Sequence, residues 1–374
     1  MNSLDKYILR QSMTPLALIL IVTTAIVWMT QSLQRIEIIV EYGQGLGVFA
    51  FLSLLIIPSL LAIIIPFALF GSAIYALYRL HSDSEIAVMF AAGVSRWRLA
   101  APILLITFIG AAATFYVNVD LMPRCYRVLK QSVADIRADF ASSLLRSGEF
   151  TTVVDGFTIY VDEARPGGQF VGLLINDYRN GENPETYMAE RAILQETDAG
   201  PVLFLKRGNI QRVARYTGDV SFVRFDDWAI DIASLGKGRR ELQLELTERY
   251  PSELFNPDMS KPYDRANAGK LIAEGHARYA TPLHAFAYVL AGLYALIGGS
   301  YSRRGYFMRV AAAAGIVFAI RVLSFVAQGL VESSGAYWLL YAIPGGAIAI
   351  YATLLFVPLP RLRSEPVAIT EGAH

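Results

Sequence analysis

The residues that could carry catalytic chemistry in this chain are few and far apart. The four histidines, His81, His276, His284 and His374, are scattered, and no H-E-x-x-H pattern places two of them on one helix face. Gly236-Lys237-Gly238 has neither the spacing nor the Ser or Thr of a phosphate-binding loop. GGSYS at 298–302 lacks the G-x-S-x-G pattern of a nucleophile elbow. We therefore expect no catalytic residues, no metal site and no cofactor in this chain, which would make it no enzyme.

Two arginines are candidates for binding an anionic group within a membrane. Arg35 follows one long uncharged run, and Arg321 interrupts another. An arginine inside a bilayer is costly unless it faces water or a partner, and its planar fork matches a phosphate. Arg35 and Arg321 are therefore candidate ligands for the phosphates of a lipid head group. The alternatives are that Arg35 reaches the membrane surface and that Arg321 pairs with a polar group on a neighbouring helix.

The elements that would hold these arginines are membrane spans. Of the 374 residues, 54% are hydrophobic and 17% are charged, whereas a soluble globular chain is nearer a quarter charged. A helix needs about 20 apolar residues to cross a bilayer. Six runs are long enough: 11–34, 42–78, 99–119, 279–302, 310–331 and 333–360. The sequence thus predicts an α-helical membrane protein with six transmembrane helices.

Basic residues in the short loops predict the orientation. On one side lie Lys6, Arg10, Arg79, Arg96, Arg98, Arg303, Arg304, Arg309, Arg361 and Arg363, and on the other only Arg35. Basic loops stay in the cytoplasm, so both termini are expected there and the polar middle outside. The net charge of +1 gives no reason to expect a nucleic-acid partner. The single cysteine, Cys125, excludes an internal disulfide framework.

The polar middle has the pattern of a β-domain. Strands are predicted at 149–154, 157–161, 169–178, 186–197, 202–214 and 220–232, separated by turn residues such as Asn180-Gly181. This spacing favours an extracytoplasmic antiparallel β-domain, jelly-roll-like, inserted between the third and fourth spans. The predicted organisation is residues 1–120 for spans one to three, 121–278 for the β-domain with flanking helices at 126–145 and 267–278, and 279–374 for spans four to six and a cytoplasmic tail.

Apolar side chains on the predicted strands have two interpretations. Phe157, Ile159, Phe204 and Phe222 are candidates for lining a groove that holds an acyl chain. They are equally of the types that fill an ordinary protein core. The sequence leaves both open, because a one-residue slip in register exchanges the two faces of a strand.

The stretch HSDSEIAVMFAAGVSRWR, residues 81–98, predicts a short helix between spans two and three. Ser82 and Glu85 fit the S-x-x-E capping box, and Gly93 is placed to end the helix, which gives expected bounds of 82–93. Ile86, Met89 and Phe90 should share one face. From these residues alone, the helix either lies passively at the membrane surface or binds a partner.

The same stretch carries a resemblance to a known family. SEIAVMFAAGVSRWRL, together with LDKYILRQ before the first span and SGEF at the start of the β-domain, resembles the LptF/LptG family of lipopolysaccharide-export permeases. TQSLQRIE at the end of span one resembles the LptF arrangement, in which Arg35 occupies a basic position, although Ser32 stands where a second basic residue is expected. In that family the short helix is a coupling helix that sits in a groove of a cytoplasmic ATPase.

The resemblance implies a function, a location and a set of partners. The chain would be a bacterial inner-membrane permease subunit of an ABC transporter that extracts lipopolysaccharide and passes it to a periplasmic bridge. Its partners would be a sister permease (LptG-like), an ATPase dimer that binds the ATP, a bridge subunit (LptC-like) and lipopolysaccharide itself. The coupling residues would be Asp83, Ser84, Glu85, Met89, Phe90 and Gly93.

Two other functions remain open at this point. One is a permease that transmits mechanical work to periplasmic partners without moving lipid, for which a shorter layout of four spans would be typical. The other is a scaffold that assembles membrane proteins and binds no ATPase. Purification together with an ATPase and a sister permease would distinguish the export permease from the scaffold.

Overall fold

The computed structural model describes residues 3–33, 45–143, 148–154, 156–165, 169–178, 184–197, 200–213, 220–231, 244–298 and 306–357. The chain forms two compact units. The membrane unit contains Met1–Arg35, Ser53–Tyr126 and Glu245–His374, and the sheet unit contains Ile36–Leu52 and Arg127–Leu244. Arg35, a candidate phosphate ligand, lies outside the described residues.

Ten α-helices are present in the described ranges. They are α1 Ser3–Leu33, α2 Leu46–Leu54, α3 Ile57–Ser82, α4 Glu85–Ala91, α5 Arg96–Tyr116, α6 Met122–Ser143, α7 Pro251–Phe255, α8 Pro262–Ile297, α9 Tyr306–Ser334 and α10 Leu339–Phe356. A π-helix, Val117–Leu121, joins α5 to α6, and a 3-10 turn, Leu246–Glu248, precedes α7.

Six helices are long and apolar enough to cross a membrane, which confirms the six spans predicted from the sequence. They are α1, α3, α5 with its continuation to Ala134, α8, α9 and α10. The long apolar run at 42–78 is divided into α2 and α3, and Pro58 stands in the first turn of α3. Proline is tolerated there because the first amides of a helix have no partner within it.

The flanking helix expected at 267–278 is continuous with the fourth span. It belongs to α8, which runs from Pro262 to Ile297 with a kink at Asn267. Its only departure from helical geometry is Asn267, with φ −120° and ψ 16°. The sequence between Arg278 and Thr281 contains no residue that would end a helix, so polar and apolar halves continue as one element.

The core of the membrane unit is built around α3 and α8. Ala285, Val289 and Leu293 of α8 are completely buried, as are Leu77 and Leu80 of α3. Alanine and other small residues let helix backbones approach closely, which is how helices pack where no hydrophobic effect operates between them. By contrast, α1 and α9 point large apolar side chains outward, including Ile21, Met29, Phe318 and Phe325.

The sheet unit contains one six-stranded antiparallel sheet whose strands follow one another in chain order. The strands are β1 Phe150–Val154, β2 Phe157–Arg165, β3 Gln169–Asp177, β4 Glu185–Thr197, β5 Gly200–Val213 and β6 Val220–Asp231. All six were predicted, with bounds that agree within a few residues. The inserted antiparallel β-domain is therefore confirmed.

A crease crosses this sheet. Between each two neighbouring strands from β2 to β6, one position on each strand is left unpaired. These unpaired positions form a line across the sheet: Asp162, Gly172, Glu190, Arg207 and Asp226. Gly172 and Arg207 have left-handed backbones, with φ of +63° and +51°. The alternation of buried side chains changes phase across the line, as in β3, where Phe170 is buried on one side and Leu173 on the other. Bends of this kind re-aim side chains within a strand.

The buried face of the sheet carries its hydrophobic core. Its members are Phe157, Ile159, Val161, Phe170, Leu173, Ile175, Ala189, Ala192, Leu203, Leu205, Ile210 and Phe225. Glu190 and Arg207, both exposed, form an ion pair of 3.3 Å along the crease. Exposed pairs of this kind contribute little to stability, so the apolar face is what holds the sheet together.

Candidate functional site

The short helix between the second and third spans is α4, Glu85–Ala91. Seven residues rise about 10 Å, too little to cross a membrane. The predicted start at Ser82 is wrong, and no capping box forms. Ser82 is the last residue of α3, and α4 begins after Ser84, whose side chain makes no capping hydrogen bond. Because Ser82 has helical geometry, it cannot adopt the extended conformation that an N-cap requires.

Gly93 ends α4 as predicted. Its backbone is left-handed, with φ of +82°. The amide of Gly93 donates to the carbonyl of Phe90 at 3.0 Å, and the amide of Val94 donates to that of Met89 at 2.9 Å. This pair of bonds is a Schellman motif, which favours glycine because a side chain would strain the left-handed residue. Ser95 then caps α5 by accepting from the amide of Arg98 at 3.3 Å.

The side chains of α4 divide between two directions. Ile86 is buried in the core of the membrane unit, and Met89 packs against the same core. Val88 and Phe90 are exposed, at 66% and 37%. Ile86, Met89 and Phe90 lie within about 100° of one another around α4, as expected, although Ile86 is buried, Met89 is half-buried and Phe90 is exposed.

The first turn of α4 is attached to α1. The hydroxyl of Tyr7 donates to the carboxylate Oε1 of Glu85 at 3.0 Å. Glu85 thus contacts a neighbouring span, where the sequence had suggested a bond to the amide of Ser82. Asp83 is exposed at the C-cap of α3, and Ser84 has a left-handed backbone, with φ of 60°. No sequence pattern indicates this role of Tyr7, because its partner is 78 residues away.

The four residues proposed to line an acyl groove do not share one face of the sheet. Phe157 and Ile159 are buried on the apolar face, at 1% and 2% exposure. Phe204 alternates with the buried Leu203 and Leu205 and therefore lies on the opposite face. Phe222 is 68% exposed. The structure thus separates them into two pairs.

Arg321 is half-buried in α9. Within the described ranges, no hydrogen bond or ion pair involves its guanidinium, although it lies near enough to His284 and Tyr288 to act on them electrostatically. Ser324, one turn away, donates its proton to the carbonyl of Ile320 at 2.8 Å, so His284 Nε2 donates to Ser324 Oγ at 3.0 Å. His284 is a hydrogen-bonded core residue, as its isolation in the sequence suggested.

The sheet unit also holds a titratable cluster that the sequence did not indicate. Glu185 on β4 forms an ion pair of 2.7 Å with Arg212 on β5, and it accepts a hydrogen bond from the hydroxyl of Tyr187. Burial, and then the bond to Glu185, raise the pKa of Tyr187. The tyrosine therefore stays protonated at any physiological pH, and the cluster is a fixed brace between two strands.

The fold and these sites define a multi-pass membrane protein with a β-domain inserted between two sets of three spans. Residues 6–357 match the family model described as "Lipopolysaccharide export system permease LptF/LptG". The chain belongs to this family, and it is therefore a multi-pass protein of the inner membrane.

Two relatives illustrate its distance from other members. An uncharacterized protein of Rickettsia prowazekii, RP871, is 25% identical over 334 residues, which are 88% of this chain and 91% of that protein. The lipopolysaccharide export system permease protein LptF of Escherichia coli K12 is 27% identical over 177 residues, which are 46% of this chain and 48% of that protein. The alignment with LptF thus spans about half of each chain.

Proposed function

We propose that this chain is one permease subunit of an ABC transporter that extracts lipopolysaccharide from the inner membrane and passes it to a periplasmic bridge. The match of the family model to residues 6–357 carries this proposal. Membership gives the coarse function, a lipopolysaccharide export permease.

The energy would come from a separate ATPase dimer, which would bind the ATP and contact α4. Two properties of α4 support this role. It exposes Val88 and Phe90 although it is too short to be a span, and Ile86 and Met89 attach it to the membrane core. A helix with one apolar side buried and another exposed is a suitable contact for a partner protein. Asp83 and Glu85, at its start, would add charge at the edge of the contact.

The lipid would be held at two places. Arg35 and Arg321 are proposed to bind phosphates of the head group, with a sister permease closing the cavity between the two chains. The acyl part would be received by the apolar face of the sheet, which includes Phe157 and Ile159. Both termini would be cytoplasmic and the sheet unit periplasmic, as the basic loops predict.

Reconstitution tests this function. The tagged chain is purified with a sister permease and the ATPase, placed in vesicles with lipopolysaccharide, and lipid reaching a soluble bridge protein is measured with and without ATP. We expect transfer that requires ATP hydrolysis. If the chain purifies without any ATPase, the scaffold alternative stands. If ATP is hydrolysed while every lipid molecule stays in the vesicle, the permease transmits work without moving lipid.

A double substitution tests the lipid site separately. Arg35→Ala with Arg321→Ala should reduce the lipopolysaccharide retained by the detergent-purified complex, because two guanidinium contacts to phosphate are lost. Arg35→Lys with Arg321→Lys, which keeps both charges, should retain part of it. Equal retention in all three proteins would leave the arginines with structural roles.

A further inference from the structure

Arg278, in the first half of α8, is one of the most deeply buried charged residues of the described chain, at 2% exposure. Its Nη2 donates to the carbonyl of Leu246 at 2.6 Å, and its Nη1 donates to the carbonyl of Arg249 at 2.7 Å. Nε donates to Oε1 of Glu274 at 3.1 Å, and Nη1 makes a longer bond of 3.5 Å to the carbonyl of Asn118. A single guanidinium therefore joins three separate parts of the membrane unit.

Each carbonyl acceptor lies outside the regular α-helices. Leu246 and Arg249 lie in the segment 244–261, which brings the chain from the sheet to α8 and which we call the return segment. Asn118 lies in the π-helix between α5 and α6. Buried carbonyls outside regular helices need donors, and a guanidinium carries five N–H groups in a fixed plane. Short π-helices within longer helices often mark functional positions.

A second ion pair fixes the return segment to the start of α8. Arg249 donates to both carboxylate oxygens of Asp264, at 2.7 and 2.5 Å, and both side chains are buried. The amide of Asp258 donates to the same carboxylate at 3.0 Å. The bond to Asp264 raises the pKa of Arg249, so the pair stays ionised. The return segment is consequently held rigidly at two points along α8.

The network continues from Arg278 into α9. Oε2 of Glu274 accepts from Nε2 of Gln328 at 3.2 Å. The two helices approach closely nearby, since a Cβ added at Gly269 would lie 2.3 Å from the carbonyl oxygen of Glu332. Gln328, Glu274 and Arg278 thus form a polar chain from α9 through α8 to the return segment.

Stability alone does not explain this polar chain. Buried ion pairs are costly to desolvate, and apolar residues of similar volume often serve stability as well or better. What a hydrogen-bonded chain provides is a directional connection, because its bonds break when one element slides past another. We propose that Arg278 is a positioning residue that transmits displacement of α9 to the return segment. This inference rests on the proposed function.

The test compares variants of the full chain in the reconstituted complex. Gln328→Leu removes the hydrogen bond from α9 to Glu274 and leaves every direct hydrogen bond of Arg278 in place. Lipid moved per ATP hydrolysed should fall about fivefold or more, the lower range of typical coupling between sites. Complex yield, ATPase rate and thermal midpoint should stay near those of the wild type. Arg278→Lys should lower the same ratio and be partly functional, because an ammonium cannot reach acceptors in several directions at once.

Lys270→Met is the matched control. Lys270 is an exposed cation on the same helix, and its removal should leave the ratio of lipid to ATP unchanged. If Gln328→Leu keeps the wild-type ratio in a complex that does move lipid, the role of Arg278 is refuted while the proposed function stands. The role of Arg278 is also refuted if Gln328→Leu lowers lipid transfer, ATPase rate and thermal midpoint together. A wild-type complex that hydrolyses ATP without moving lipid would refute both.

Discussion

The hydroxyl of Tyr7 donates a 3.0 Å hydrogen bond to the carboxylate of Glu85, and so ties the start of α4 to the first span. Glu85 is therefore an anchor between helices, and α4 is held by contacts to α1 as well as by the burial of Ile86. The contact is partly exposed, so its effect on overall stability should be modest. Its effect on the orientation of α4 should be larger.

Tyr7→Phe should weaken this anchor without changing the shape of the side chain. One hydrogen bond is worth about 0.5–1.5 kcal/mol, which corresponds to about two- to tenfold in an equilibrium between held and released α4. We expect ATP-dependent lipid transfer to fall within that range. Tyr75→Phe is the control, because Tyr75 is an exposed tyrosine of α3 whose hydroxyl has no bond in the described chain. Equal transfer in Tyr7→Phe and wild type would contradict the anchor.

Substitutions on the two sides of α4 should have different effects. Val88→Asp changes an exposed position, so the thermal midpoint should stay close to the wild-type value while affinity for the ATPase falls at least tenfold, since a charge would enter an apolar contact. Met89→Asp should lower the midpoint as well, because Met89 packs on the membrane core. Thermal unfolding and pull-down of the ATPase measure both. Undiminished ATPase binding by Val88→Asp would exclude this face as the contact.

The left-handed backbone at Ser84 predicts an unusual stabilisation. This conformation costs an L-residue about 1–2 kcal/mol, and glycine adopts it without that cost. Ser84→Gly should therefore raise the thermal midpoint of the purified chain. Ser82→Gly provides the opposite control, because Ser82 ends α3 in helical geometry, where glycine costs about 0.5–1 kcal/mol. Shifts of the same sign in the two variants would show that Ser84 is not strained.

Photo-crosslinking distinguishes the two faces of the sheet. A crosslinking residue at Phe157 or Ile159 should capture lipopolysaccharide during ATP turnover, because these positions lie on the apolar face. The same residue at Phe204 or Phe222 should capture little, because both point away from that face. Capture on both faces, or only at Phe204 and Phe222, would place the lipid elsewhere. Silence at all four positions would leave the apolar face as a plain core.

The spans and strands could be predicted because their signals are local. A run of about 20 apolar residues identifies a span wherever it occurs, and turn residues bound the strands. The start of α4 could not be found in this way. Leu77 and Leu80 are completely buried, and their packing keeps α3 helical as far as Ser82, which overrides the capping preference of that serine.

The crease and the polar chain depend on contacts between distant parts of the sequence. Arginine is not a residue type that indicates a left-handed backbone, as Arg207 has. The phase change at Arg207 and Gly172 therefore cannot be predicted before the strands are paired. Glu274 and Arg278 stand four apart, which suggests a surface ion pair on one helix. Only the fold shows that the arginine is buried against carbonyls 29 and 32 residues earlier.

The connection between α4 and α5 has a mechanical consequence. Four residues separate the two helices, of which Gly93 and Val94 are hydrogen-bonded back to α4 and Ser95 is hydrogen-bonded to α5. A connection this short, with its residues bonded to the two helix ends, couples the orientation of α4 to that of α5. A partner that binds the exposed side of α4 would therefore transmit force to α5 through a connection of only four residues. One residue inserted into this connection would lengthen it by up to about 3.6 Å and should weaken that transmission.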